Sequence, residues 1–370
     1  MLGIYVHVPF CERKCIYCAF SSFMNKDTEE ENYIRYLIKE IEKSYKTYNI
    51  EKKQNVDTIY IGGGTPSILK VENVKKILVA IQNNFNVTKD CEITIECNPN
   101  SVDYEKLKSY KELGINRISF GIQSLNDEDL KFLNRLHNKN QAIEAIRMAK
   151  KAGFENISAD LLIGIPNQTV NSFTEQLKKL IELGVKHFSC YMLQVENGTP
   201  LENMVKKHQI ILLTDDQSVE IYNNCATFLK KSGFNRYEVS NFALDGFESK
   251  HNSKYWIGED YIGFGLSAHS YINKTRSANP NNFEKYYKGE KTFTEKLSKE
   301  ELIEEHIMLG LRCKYGVDIE YLKNLGYNIE ENENLTDFID KNIIKKDKQR
   351  LFLNPDFYGV NNYIILKLLP

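Results

Sequence analysis

The chain has 370 residues, 42% of them hydrophobic and 27% charged, a globular composition that excludes a disordered or fibrous protein. Its 49 basic and 50 acidic residues leave a net charge of −1, so no general basic field exists for a phosphate backbone and no nucleic-acid partner is expected. No run approaches the ~18 uninterrupted apolar residues of a membrane span. The opening MLGIYVHVPFC has neither a charged n-region nor a small-residue cleavage site, so a cytoplasmic protein with no transmembrane segment is expected.

Taken in chain order, short β-branched runs alternate with longer amphipathic ones. Strands are predicted at about 3–8, 58–61, 92–96, 117–121, 157–162 and 187–193, and helices at about 29–45, 71–84, 103–113, 140–152, 169–183 and 214–232. Gly114, Gly153 and Gly184 stand where three of these helices end, as the left-handed residue after a helix requires. Six strand–helix units in strict alternation predict an α/β fold with a parallel sheet. Six are too few for a closed eight-fold barrel, so a partial (β/α)6 barrel over residues 1–235 is expected. Residues 236–295 read as an aromatic, Asn-rich connecting segment holding HNSKYW (251–256) and GFGLSAHS (263–270). Residues 296–370 read as helix, short helix, helix, a charged hairpin at 343–353 and a last apolar helix. That order predicts a small winged-helix-like α+β domain, whose slight acidity favours packing or docking over DNA binding.

Of eight cysteines, Cys11, Cys15 and Cys18 fall within eight residues, while Cys91, Cys97, Cys190, Cys225 and Cys313 are scattered. In a reducing compartment such a cluster means metal or redox chemistry. Three thiolates at spacings of four and three, on a loop after a strand, can each grip one iron of a four-iron cubane and leave the fourth open. The competing reading is a zinc site completed by a histidine, but zinc sites usually pair two CxxC halves, and no second pair follows. After the second strand comes GGGTP (62–66), whose successive N–H groups can form an anion-binding nest.

CxxxCxxC after the first strand of a partial barrel resembles the radical S-adenosylmethionine (SAM) superfamily. YVHVPFC and GGGTP resemble more narrowly its coproporphyrinogen III oxidase family, and the resemblance extends to the C-terminal LNPDFYGVNNYIILKLL. It implies a [4Fe–4S] cluster on Cys11, Cys15 and Cys18, with SAM on the open iron and Tyr5, Gly63 and Glu96 as its contacts. Gly64, Thr65, Gln123, Arg135 and Asp160 match the oxidase pattern for a second SAM. A carboxylate inside an apolar strand needs a partner or a function, and Arg135 can pair with Asp160 or with a ligand carboxylate. No catalytic residue is assigned.

The chain departs from the oxidase at three places. Phe20 stands where the oxidase carries a further cysteine, only ten residues precede the cluster, and HNSKYW matches the HNxxYW signature of the heme-chaperone branch, HemW. The resemblance then implies a chaperone that binds heme and passes it to an acceptor protein, with oxygen-independent coproporphyrinogen III oxidation as the alternative. His251 is the expected iron ligand, and Tyr255 and Trp256 the aromatic faces beside the porphyrin. His269 is the reserve ligand, and His7, between apolar strand neighbours, is expected to be structural.

Overall fold

A computed structural model of the chain describes residues 1–24 and 27–370. Six strands run parallel in chain order: β1 (Leu2–Val8), β2 (Asn55–Gly63), β3 (Asn86–Cys97), β4 (Arg117–Gln123), β5 (Asn156–Ile163) and β6 (His187–Met192). Helices α1 (Asp27–Thr47), α2 (Val71–Asn84), α3 (Tyr104–Glu112), α4 (Lys139–Lys151) and α5 (Val170–Glu182) make the crossovers, and α6 (Asp215–Lys231) follows β6. Ile4, Val6, Ile59, Ile61, Ile118, Phe120, Ile157 and Phe188 are wholly buried, the near-continuous apolar text of strands covered by helices. Gly114, Gly153 and Gly184 have φ near +90° at the helix ends. Asn138, Thr169 and Thr214 close capping boxes at the starts of α4, α5 and α6. This is the expected partial barrel, open because β1 and β6 pair with other strands rather than with each other.

The segment after α6 is more regular than its sequence reads. β7 (Asn235–Arg236) and β8 (Asn241–Ala243) add to the β6 side of the sheet. HNSKYW lies in a helix, α7 (Lys250–Ile257). β9 (Tyr261–Phe264) then runs parallel to β1, and β10 (His269–Ile272), β11 (Thr275–Ala278) and β12 (Phe293–Lys296) continue antiparallel to a twelve-stranded sheet among the described residues. Gly263 is required there, because any Cβ would collide with the His269 carbonyl of the neighbouring strand.

The C-terminal unit has a core of its own, including Ile307, Leu311, Leu322, Leu351 and Leu368. It comprises α8 (Lys299–Gly310), β13 (Val317–Asp318), α9 (Ile319–Leu325), α10 (Glu333–Asp340), the hairpin β14 (Ile344–Asp347) and β15 (Arg350–Leu353), and α11 (Asn361–Leu368). Its three strands form an antiparallel sheet in the order β13-β15-β14. A backbone bond ties it to the segment that follows the barrel: Lys314 N donates to Tyr237 O at 2.8 Å. The guanidinium of Arg236 sits 4.2 Å over the Tyr358 ring. Among the described residues no helix is long and apolar enough to cross a membrane.

Candidate functional site

A cleft of about 810 Å³ opens at the C-terminal ends of the parallel strands, where the loops of such a barrel gather. Cys11, Cys15 and Cys18 line it from the loop after β1, Gly63, Gly64 and Thr65 from the end of β2, and Glu96 from the end of β3. Gln123, Arg135 and Asp160 complete that wall.

The cysteine loop is pinned from both sides. Phe10–Cys11 pairs with Phe23–Met24, Gly64 N donates to Val8 O at 2.7 Å, and Thr65 N donates to Phe10 O at 2.8 Å. A Cβ on Gly64 would stand 2.5 Å from the Phe10 carbonyl and 3.0 Å from Cys11 Sγ, so glycine is what lets the two loops touch. Burial pushes the Cys11 and Cys18 thiols up, so taking iron there displaces protons. Thr65 Oγ1 donates to Cys11 Sγ at 3.6 Å and Arg135 Nη1 to Cys15 Sγ at 3.4 Å. Among the described residues no three Cys, His, Asp or Glu side chains converge closely enough to hold one metal ion. Three thiols lining one cleft, with hydrogen-bond donors aimed at two of them, fit an iron–sulfur cubane with one iron left open.

Glu96 accepts from Tyr60 Oη at 2.8 Å and from Gly63 N at 3.1 Å. Burial, with the Asp160 charge nearby, pushes its carboxyl up to about 7 against those hydrogen bonds. Burial also raises Asp160, which accepts from Ser119 Oγ at 3.1 Å. Arg135 does not pair with Asp160 among the described ion pairs; its Nη2 donates to Asn98 Oδ1 at 2.6 Å and to Gly121 O at 2.7 Å. The Arg117 charge, more than that of Arg135, favours the Asp160 carboxylate against that burial. Gln123 has φ +64°, where the β4–β5 register slips after Phe120. A left-handed non-glycine residue is uncommon, and such strain gathers at ligand sites.

The remaining expected residues lie elsewhere. Tyr5 is behind the cleft wall, its hydroxyl bonded to His7 Nδ1 at 3.0 Å and its ring stacked on Tyr60. His251 is wholly buried, with Nδ1 bonded to Thr58 Oγ1 at 2.9 Å and Nε2 to Tyr255 Oη at 2.8 Å. Its ring stacks on Tyr60, and burial holds its imidazole down at about 3. His251, the expected iron ligand, thus has both nitrogens hydrogen-bonded inside the sheet–helix interface and does not line the cleft. Tyr255 packs edge-on against Tyr261, and Trp256 is half-buried outside the cleft, so neither offers it a face. Of the HNSKYW signature, Asn252 alone lines the cleft.

Several wall residues escaped the sequence reading. Asn98 follows Glu96 by two positions, a strand-end location that could have flagged it. Arg117 is wholly buried at the cleft floor, and its Nε and Nη1 have no hydrogen-bond partner among the described residues. Tyr358, Gly359, Asn361 and Asn362 bring the C-terminal unit to the opposite wall. At the mouth, Phe20, Tyr191 and Met192 both line the cleft and expose 68%, 42% and 37% of their surface, beside Arg13 and Lys14.

Comparison with known proteins agrees with this architecture. Residues 5–180 match the model of the radical SAM superfamily, and residues 297–356 that of the HemN C-terminal domain. The chain is 36% identical to the heme chaperone HemW of Lactococcus lactis, over 99% of this chain and 96% of that protein. It is 35% identical to the heme chaperone HemW of Bacillus subtilis, over 95% of each. Among solved structures, coproporphyrinogen III oxidase (HemN) from Escherichia coli superposes with a TM-score of 0.84 at 21% identity, covering 100% of this chain and 90% of that one, a likeness of fold.

Proposed function

Because the chain belongs to the radical SAM superfamily and, within it, to the family of HemW heme chaperones, we propose that it binds heme and hands it to an acceptor protein. The observation that carries this reading is one cleft uniting three free thiols, a glycine nest with a recessed carboxyl, and an exposed apolar rim.

In this reading Cys11, Cys15 and Cys18 hold a [4Fe–4S] cluster. A cluster held there would supply single-electron reduction chemistry to a bound SAM. The backbone at Gly63 and the carboxylate of Glu96 orient the amino-acid end of one SAM, with Tyr5 supporting them through Tyr60. Gly64, Thr65, Gln123, Arg135 and Asp160 form the wall that a second SAM takes. The porphyrin enters at the mouth, its faces against Phe20, Tyr191 and Met192 and its propionates toward Arg13 and Lys14. The functional division is a barrel at residues 1–235, a segment at 236–295 that braces it from below, and a C-terminal unit at 296–370 that closes the cleft. Eight free cysteines fit a reducing compartment, the cytoplasm.

Anaerobically reconstituted protein tests the proposal when given heme and, in parallel, coproporphyrinogen III. A Soret band saturating at about one heme per chain, with no decarboxylation, is the expected pair of results. Decarboxylation without a Soret band reverses the reading in favour of the oxidase.

A further inference from the structure

We propose that Asn98 is a positioning residue: it fixes the direction of a hydrogen-bond relay that ends on Cys11 and Cys15 and so raises the reduction potential of the cluster they carry. The inference rests on the reading of Cys11, Cys15 and Cys18 as cluster ligands.

Asn98 stands just past β3, its own backbone N donating to Ser67 Oγ at 3.1 Å. Its side chain lies between Arg135, whose Nη2 is 2.6 Å from Asn98 Oδ1, and Thr65, whose Oγ1 is 3.2 Å from Asn98 Nδ2. A guanidinium can only donate, so the amide oxygen must face Arg135 and the amide nitrogen must donate to Thr65. Thr65 has a single hydroxyl proton. With its oxygen already accepting from Asn98, that proton is free for Cys11 Sγ at 3.6 Å. The other arm of Arg135 reaches Cys15 Sγ at 3.4 Å. Gly121 completes the bracket: its carbonyl accepts from Arg135 Nη2 at 2.7 Å, and a Cβ there would press on Asn98 Oδ1 at 3.2 Å.

Donation thus runs one way, from the guanidinium to the sulfurs. Hydrogen bonds to cluster sulfurs favour the reduced, more negative form, and outer-shell partners hold the ligands in place. Asn98 touches no sulfur itself; it determines which way the Thr65 proton points. An aspartate of the same size offers two acceptors, one to Arg135 and one to Thr65, which turns the Thr65 proton away from Cys11 and adds a negative charge.

The test compares whole-chain wild type, Asn98→Asp, Thr65→Val and the combined variant, each reconstituted anaerobically and assayed for iron and sulfide. Midpoint potentials are read without SAM by redox titration followed by paramagnetic resonance. At wild-type cluster content both variants should titrate at lower potential than wild type. The combined variant should shift by less than the sum, because both changes act on one proton. A midpoint unmoved in Thr65→Val overturns the proposal, including when Asn98→Asp fails to take up a cluster. Equal midpoints in Asn98→Asp and wild type at equal iron content do the same. A wild-type chain that takes up no iron and sulfide overturns the cluster reading itself, and the relay with it.

Discussion

Both ring nitrogens of His251 are committed, and removing the ring leaves the hydroxyls of Thr58 and Tyr255 without those partners. His251→Ala should therefore cost about 2–4 kcal/mol in urea unfolding, the range for stranding buried polar groups and opening a cavity. It should leave the Soret band of bound heme unmoved; a shifted band would return His251 to the iron. Glu96 carries a second prediction. Its folded value near 7 lies above the ordinary 4.5, so its contribution to stability is full below about 4.5 and is lost as pH rises through 7. A SAM ammonium facing the side chain demands the carboxylate. With Asp160 and Arg117 as the neighbouring charges, binding below pH 7 should release a proton and weaken as pH falls. Calorimetry at pH 6 in buffers of different ionisation enthalpy reads that proton, and no buffer dependence contradicts it. The grouping of Cys11, Cys15 and Cys18 was legible because their spacing is local. Asn98 and Arg117 were not, because the partners that give them meaning lie on other strands.

The glycine-rich end of β2 shows how one element sets the site. Gly63 has φ +118°, and a Cβ there would press on the His7 ring at 2.8 Å. Gly64 meets the cysteine loop itself. Gly64→Ala should push Phe10 and Cys11 aside and abolish stable cluster uptake, while Gly114→Ala, with open space around it, costs about 1 kcal/mol through its left-handed backbone. Iron and sulfide content after anaerobic reconstitution distinguishes the two, and full uptake by Gly64→Ala contradicts the contact. At this scale the sequence revealed what is periodic. The six units announced themselves by β-branched runs, amphipathic helices and terminal glycines. α7 and β9 did not: one is an eight-residue helix, the other a four-residue strand broken by Gly263, and both take their form from contacts with β1, β2 and β3.

At the scale of the whole molecule, the C-terminal unit turns a barrel mouth into an enclosed cleft. Tyr358, Asn361 and Asn362 face the cysteine side across the opening, held there by Arg236 on Tyr358 and on the Pro355 carbonyl. The winged-helix-like order of the tail was readable from its helices and hairpin, but its place over the cleft was not, since no periodicity encodes docking. Nor did the signature HNSKYW reveal its position under the sheet; the apolar groups facing solvent at the cleft are Phe20, Tyr191 and Met192. The central claim is that this mouth receives heme, and a spectroscopic heme titration of reconstituted wild type beside Phe20→Asp/Met192→Asp tests it most directly. Wild type should saturate at about one heme per chain, and the double variant should bind at least about tenfold more weakly, about 1.4 kcal/mol or more. A wild type with no Soret band, or a double variant that binds heme as wild type does, would contradict the account.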